Sequence, residues 1–280
     1  MRPVEVVARA AGYLKRHGVE SPRPTAEILL ASTLGVDRAR LYARSDGLTA
    51  REAKLFGRAL CRRCAGTPLQ HLTGEQGFRR IMLAVRPGVF VPRPETEVVV
   101  DSALEVLDAI SADRTPIVVD ACTGSGAIAL ALKSERPGTQ IIATDVSAEA
   151  VALARENARR LDLEVDVLQG DLLEPLPPAL RGAVDLVVAN PPYVLPEEYA
   201  SLPADVRADP RLALVGGIEV YQKLFRQAAR WLRPEGVVVV EVSEMWSGRV
   251  VQAANDAGFG AERVLPDLAD RDRVVTARRP

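Results

Sequence analysis

Two histidines, three cysteines and twelve aromatic side chains are all that 280 residues offer of the groups that most often carry metal, redox or base-stacking chemistry. An odd, sparse set of cysteines is not a disulfide framework and suits a reducing compartment. Cys61 and Cys64 form a Cys-x-x-Cys, but it sits inside an Arg-rich helical pattern with no second ligand pair, and only His71 lies near it in sequence. No metal site is therefore expected, and no serine-hydrolase constellation is present. Long apolar runs are also missing: nothing approaches the roughly 18 uninterrupted apolar residues of a membrane span. The start, Met1-Arg2-Pro3-Val4-Glu5, lacks the apolar core and cleavage site of a secretory signal. A cytoplasmic protein without membrane contact is the expectation.

Lysine is scarce, four of the 36 basic residues, yet total charge is ordinary at 26% with a net charge of −1. That balance hides an asymmetry. Residues 1–90 carry 16 Lys and Arg against 7 Asp and Glu, and the remaining 190 carry 20 against 30. A basic front and an acidic back can mark a contact surface for a nucleic acid or an acidic protein, although a solvated helical face produces the same count.

The first 66 residues read as helices separated by breakers. Val4 to His17 has apolar residues at helical spacing, and Gly18 can end that helix. Ser21-Pro22-Arg23-Pro24 interrupts the pattern, so Thr25 is expected to cap a second helix through Leu34. Thr49 and Glu52 form a capping box for a third. From Pro68 the texture changes: Gly74, Gly77 and Gly88 surround Phe78 and the run Ile81 to Val85, which suggests a β-hairpin. Three segments follow: a helical domain over 1–66, a hairpin linker over 67–92 and an α/β domain over 93–280.

In that last segment strand and helix patterns alternate. Strands are predicted at Ile117 to Asp120, Gln140 to Asp145, Val165 to Leu168, Asp185 to Ala189 and Val237 to Val242, with helices between them. Nearly continuous apolar strands separated by helices argue for a parallel sheet covered on both faces. Ligands in such sheets bind outside the carboxyl ends of the strands. Asp120, Asp145, Asp171 and Asn190 all fall at or just beyond predicted strand ends and should line one crevice.

Two motifs give the crevice a chemistry. The turn Cys122-Thr123-Gly124-Ser125-Gly126 joins a strand to a helix, and Asp145 closes the next strand, a distance at which an acidic residue accepts hydrogen bonds from ribose hydroxyls. The full G-x-G-x-x-G of a dinucleotide site is absent, and there is no call for a phosphate cradle. The pattern fits S-adenosylmethionine better, with Gly170-Asp171 bordering the adenine.

The second motif is Asn190-Pro191-Pro192-Tyr193. The Asn oxygen and the Pro191 carbonyl can each accept an N–H from a planar NH2 group, proline holds the backbone that carries them, and Tyr193 offers a ring face. A Pro-rich turn with an incidental Asn is the plainer reading; the cofactor motif upstream favours methylation at nitrogen.

Along nearly its whole length the chain resembles the HemK/PrmC family of peptide chain release factor glutamine methyltransferases. The matching segments are Pro68-Leu69-Gln70, Pro92-Arg93-Pro94-Glu95-Thr96-Glu97, Thr123 to Leu130, Asn190-Pro191-Pro192-Tyr193 and Asp267-Leu268-Ala269 with Arg271-Asp272-Arg273. The resemblance implies a Rossmann-like S-adenosylmethionine-dependent methyltransferase domain with a mostly parallel sheet, preceded by a small helical domain that helps hold the substrate. It also implies methyl transfer to the side-chain amide nitrogen of the Gln in the Gly-Gly-Gln motif of class-1 release factors, with S-adenosylhomocysteine as product. On the family pattern Cys122 to Gly126, Asp145, Asp171, Leu172 and Asn190 surround the cofactor, with Leu172 beside the adenine.

Three positions depart from that pattern. Cys122 stands where Gly is usual, a change tolerable where φ is negative. Leu172 replaces an aromatic found in some members, and Glu241-Val242-Ser243 replaces Glu-Ile-Gly. A monomer that needs no nucleic acid is expected. The rival reading is a nucleic-acid amino methyltransferase acting on adenine N6 or guanine N2. Against it stand the lack of a base-recognition domain and an aromatic content of 4%, little to stack on a flipped base.

Overall fold

The computed structural model describes residues 1–110 and 113–280. The chain forms two compact units, Met1–Glu75 with Pro203–Ala208, and Gln76–Leu202 with Asp209–Pro280.

The first unit is helical: α1 (Pro3–Arg16), α2 (Pro22–Leu34), α3 (Arg38–Ala43), α4 (Ala50–Cys64) and α5 (Leu69–Thr73). Val7, Leu14, Leu29, Leu30, Leu41 and Phe56 form its buried core. The second helix starts three residues before the expected Thr25 cap. Pro22 occupies its first turn, where the missing N–H would have no partner anyway, so the Pro-rich stretch begins the helix instead of interrupting it. The capping box of α4 is formed: the Thr49 N–H donates to Glu52 at 2.7 Å and the Glu52 N–H to Thr49 Oγ1 at 3.2 Å. Arg44, together with these Thr49 donors, lowers the Glu52 carboxyl to about 2.

The second unit opens with a hairpin, β1 (Glu75–Phe78) and β2 (Ile81–Ala84), followed by α6 (Glu97–Asp108). Then come β3 (Ile117–Ala121), α7 (Ala127–Glu135), β4 (Gln140–Asp145), α8 (Ala148–Leu161), β5 (Asp166–Gln169) and β6 (Val184–Ala189). The chain finishes with α9 (Arg211–Leu214), α10 (Ile218–Trp231), β7 (Leu232–Glu241), α11 (Ser247–Asp256), β8 (Gly260–Pro266) and β9 (Asp272–Arg278). Seven strands make one sheet in the order β5-β4-β3-β6-β7-β9-β8. The first five are parallel, and β9 pairs antiparallel with both β7 and β8. Sequence patterning did not suggest the terminal hairpin, because charged residues interrupt Gly260–Pro266 and Asp272–Arg278.

Successive residues of a strand face opposite sides of the sheet. Val118, Ile141, Leu186, Val188, Val237 and Val239 join the core against α6, α7 and α8. Val119, Ile142, Val187, Ala189, Val238 and Val240 join the core against α10 and α11. Burial on both faces is what makes these strands continuous apolar runs in the sequence.

Strand order reverses at β3, with β4 and β5 on one side and β6 and β7 on the other. Such a switch point opens a crevice at the carboxyl ends of the strands. The register aligns those ends: Ala121 lies opposite Thr144 and Ala189, Asp145 opposite Gln169, and Ala189 opposite Val240.

Asn157 on α8 anchors the hairpin beside this edge. Its Oδ1 accepts from the Ala84 N–H at 2.8 Å, and its Nδ2 donates to the carbonyls of Ala84 and Ser125 at 3.0 and 2.9 Å. All of this is buried, so Asn157→Ala strands three backbone groups away from water. The expected cost is about 2–3 kcal/mol of unfolding free energy, measurable by denaturant titration, and a loss below about 0.5 kcal/mol would contradict this anchoring role.

Candidate active site at the switch point

The Gly-rich turn begins on the last residue of β3 and runs into α7. Gly126 is the N-cap of α7, with φ +86°, and a Cβ there would lie 2.9 Å from Leu130 Cδ1 and 3.3 Å from Ala154 Cβ. Its missing side chain therefore serves helix packing. Gly124, with φ +58°, is different: a Cβ there meets nothing within 4 Å, so the turn is open at that point.

Cys122 does not meet the condition for an easy replacement. Its φ is +59°, in the left-handed region where a non-glycine residue is strained, not the negative value that would make the replacement easy. Burial pushes the Cys122 thiol up, and the carboxylates of Asp145, Asp120 and Asp171 push it further. The thiol stays protonated, so it is not a nucleophile.

Asp145 ends β4 and organises the turn. Its Oδ2 accepts from the Gly124 N–H and its Oδ1 from the Ser147 N–H, both at 2.9 Å. Each oxygen keeps lone pairs for further donors. Burial raises this carboxyl, and N–H groups of Ser147, Gly124 and Val146 oppose the shift.

Asp120 does not line the crevice, contrary to the reading from strand ends. It lies within β3, fully buried, accepting from Thr123 Oγ1 at 2.6 Å and the Ala129 N–H at 3.1 Å. Burial pushes its carboxyl up to about 7. Asp120 Oδ1 and Ser125 Oγ are buried without a hydrogen-bond partner among the described residues.

Asp171 is half exposed and paired with Lys223 at 2.6 Å. Leu172 follows it with φ +52° and its side chain nearly all covered in the core against α10, while its carbonyl accepts from Thr144 Oγ1 at 2.7 Å.

Asn190 immediately follows β6. Its Nδ2 donates to Thr96 Oγ1 at 3.2 Å, which leaves Oδ1 as the end open to an incoming N–H. Pro191 is buried, and Tyr193 is partly buried with its hydroxyl donating to Glu241 Oε1 at 3.3 Å. The Tyr221 hydroxyl donates to the Glu241 carbonyl at 2.9 Å. Neither Thr96 nor Glu241 was singled out as a site residue from the sequence. Glu241 was noted only as the start of an unusual tripeptide, and its position at the end of an apolar strand was the available signal.

Burial pushes Glu241 up to about 7, against the opposing effects of the Thr96 hydroxyl, Arg273 and Tyr193. The folded value exceeds the unfolded 4.5, so the stabilising effect of its protonation is complete below about 4.5 and is lost as pH rises through 7. Glu241→Gln should therefore gain stability relative to the parent as pH rises across that window, by at most roughly 1.4 kcal/mol per pH unit. Melts at pH 5 and pH 8 test this, and a constant difference would mean that Glu241 is already ionised throughout.

Two further matched segments are held by ion pairs within the second unit. The Arg93 guanidinium pairs with buried Asp209, whose Oδ1 also accepts from the Val91 N–H at 3.3 Å. Asp267 accepts from Arg271 and Arg273 and from the Ala269 N–H, and Arg271 reaches Glu95 at 3.9 Å. Among the described residues no group of three or more His, Cys, Asp or Glu side chains could hold a metal ion, and no helix is long and apolar enough to cross a membrane.

The register thus sets Asp145, the open turn at Gly124 and Asn190 at the carboxyl ends of the adjacent strands β4, β3 and β6. Known proteins agree with the architecture. The PrmC N-terminal domain model matches residues 5–74 and the methyltransferase small domain model residues 81–202. The release factor glutamine methyltransferase of Moorella thermoacetica is 43% identical over 283 residues, covering 98% of each chain. Its Streptomyces coelicolor counterpart is 43% identical, covering 98% of this chain and 96% of that protein, and the Deinococcus radiodurans protein is 38% identical over 98% of both.

Two solved structures share the fold. The ribosomal protein L11 methylase from Lactobacillus delbrueckii subsp. bulgaricus has a TM-score of 0.50 at 22% identity, over 70% of this chain and 84% of that one. The T. thermophilus 16S rRNA N2 G1207 methyltransferase, solved with AdoMet and guanosine, has a TM-score of 0.53 at 21% identity, over 74% of this chain and 50% of that one. Full-length identity above 40%, with a front-domain and a catalytic-domain match in the right order, shows that this chain belongs to the release factor glutamine methyltransferase family.

Proposed function

We propose that this protein transfers the methyl group of S-adenosylmethionine to the side-chain amide nitrogen of the Gln in the Gly-Gly-Gln motif of class-1 release factors. The observation that carries the reading is Asn190, held by Thr96 so that its oxygen is free, at the strand switch point beside the Asp145 turn. Family membership supplies the substrate class.

The residues present fit the cofactor. The Asp145 oxygens retain lone pairs for ribose hydroxyls, the backbone at Gly124 is open to close approach, and Ser125 Oγ is a buried polar atom lacking a partner. Thr123 and the backbone of Cys122 to Gly126 would pass the methionine part, and Asp171 and Leu172 would border the adenine. Bound there, S-adenosylmethionine supplies an electrophilic methyl group.

The protein's task is the other reactant. An amide nitrogen is a poor nucleophile because its lone pair is delocalised into the carbonyl. Asn190 Oδ1 and the Pro191 carbonyl accept its two N–H groups, which orients the nitrogen and stabilises the positive charge that develops on it. Pro192 holds the backbone of the tetrapeptide, and the Tyr193 ring covers the planar amide. An alkylated amide nitrogen is far more acidic than a neutral amide, so the site needs no His or carboxylate pair as general base.

In this reading residues 1–66 help hold the release factor, 67–92 form a linker and 93–280 carry the chemistry. The protein acts in the cytoplasm as a monomer, with no nucleic-acid component.

The test is transfer of labelled methyl to a purified release factor, run beside its Gly-Gly-Gln Gln→Ala variant and total RNA and DNA. Label on the intact factor alone is expected; label on nucleic acid with none on the factor would overturn the substrate. Asp145→Ala should weaken cofactor affinity by at least about 10-fold, since it removes both ribose acceptors and the Gly124 anchor. Calorimetry returning the parent affinity would remove its ribose role.

A further inference from the structure

Resting on the S-adenosylmethionine reading above, we propose that Gln227 of α10 is a positioning residue for base recognition, clamping the turn after β5 that borders the adenine. That turn has a strained backbone to hold. Leu172 sits at φ +52°, a left-handed value that a non-glycine residue keeps only where its surroundings fix it. The peptide group between Leu172 and Leu173 is fixed at both ends. Its carbonyl accepts from Thr144 Oγ1 on β4 at 2.7 Å, and its N–H donates to Gln227 Oε1 on α10 at 2.7 Å. Gln227 is itself oriented: its Nε2 donates to Glu174 at 3.2 Å, so the amide oxygen is the end left for Leu173.

The clamp lies where the cofactor reading puts the base. The Gly170 N–H donates to the Asp145 carbonyl at 2.9 Å, so the turn hangs from the residue assigned to the ribose. A Cβ at Gly170 would lie 2.8 Å from Pro175 Cγ, so the chain folds back tightly there. Leu172 is 5% exposed and its side chain packs in the core against α10, which leaves it no face for a base to stack on. What the turn offers a base is its backbone and the Asp171 carboxylate, and both take their direction from the clamped peptide group. Lys223, one helical turn before Gln227, meets Asp171 at 2.6 Å and Glu174 at 2.8 Å. Those pairs are half exposed, and water can replace them. Leu173 is fully buried, so an apolar side chain at 227 would leave its N–H without water or partner.

The experiment is calorimetry with S-adenosylhomocysteine and with S-inosylhomocysteine, whose base carries a carbonyl where adenine has its amine. The proteins are the parent, Gln227→Leu and the exchanged pair Gln227→Glu/Glu174→Gln. The parent should favour the adenine ligand, because a fixed acceptor such as Asp171 takes an N–H and repels a carbonyl. Gln227→Leu removes the acceptor for Leu173, so the turn visits other conformations and affinity falls with the competent fraction. S-adenosylhomocysteine should bind on the order of 10-fold more weakly. S-inosylhomocysteine, which gains nothing from that geometry, should change by less than about two-fold. The exchanged pair keeps an acceptor at 227 and a donor at 174, and it should bind within about three-fold of the parent.

Should the fold reject Leu, as a melting curve would show, Gln227→Ala carries the same expectation. Parental affinity in Gln227→Leu, an equal loss for both ligands, or failure of the exchanged pair to restore binding would each overturn the inference. So would a parent that binds the two bases alike. A parent that does not bind S-adenosylhomocysteine would sink the underlying cofactor reading, and this inference with it.

Discussion

Asn190→Ala should lose on the order of 100- to 1000-fold in turnover while binding S-adenosylmethionine almost as the parent does. The magnitude is that of removing one preorganised partner aimed at charge that develops in the transition state. Cofactor binding should survive because the candidate cofactor contacts are spread over the β3 turn and the end of β4, where Asp145 and the Gly124 N–H hold each other without Asn190. Stability should barely change, since the side chain makes one hydrogen bond, to Thr96. Single-turnover methyl transfer beside calorimetry separates the two quantities. Near-parental turnover would remove Asn190 from the chemistry, and a parallel collapse of cofactor affinity would place it in cofactor binding instead.

A single methyl group placed at Gly216 should be equally damaging. A Cβ at that position would lie 2.2 Å from the Pro192 carbonyl oxygen and 2.8 Å from its carbon. The obstacle is backbone, with no rotamer to turn aside. Nor can the two segments simply separate: the Val194 N–H donates to the Leu214 carbonyl at 2.9 Å, and the Gly216 N–H to the Val194 carbonyl at 3.0 Å. Gly216→Ala must therefore break that short pairing or push Pro192, and with it the Pro191 carbonyl and Asn190, out of place.

A displacement of about 1 Å in a reacting geometry costs on the order of 100-fold in rate, and overpacking of this kind costs about 1–3 kcal/mol of stability. The expected variant is folded, less stable and at least about 100-fold slower, with cofactor affinity retained. Methyl-transfer kinetics with a denaturant titration give both numbers. Parental activity would show that the tetrapeptide tolerates movement and that its geometry does not limit the rate.

Both effects converge on a loop whose chemistry was legible in the residues and whose support was not. Asn190-Pro191-Pro192-Tyr193 announces an acceptor for an NH2 group because residue types and proline restrictions act over four consecutive positions. Gly216 carries no such announcement: Gly216-Gly217 reads as an ordinary breaker, and its role exists only because α9 returns the chain against Pro192. Thr96 is similar. It lies in a segment that matches the family, yet its side-chain contact is with Asn190, 94 residues away.

What the sequence determined by itself was local and periodic. The β3–turn–α7 unit, the end of β4 at Asp145, the alternation of strand and helix, and the capping box of α4 all follow from spacing and residue type within a few residues. Only the tertiary structure decided the rest. It put Asp120 under the turn, gave Cys122 a positive φ, assigned Gly126 to helix packing and Gly124 to open space, added the β8–β9 hairpin, and brought Thr96 to Asn190. The physical reason is range. Helix and strand periods are set by a residue and its near neighbours, whereas the register of β3, β6 and β7 brings distant residues to one edge. That register is fixed by how two layers of helices bury both faces of the sheet.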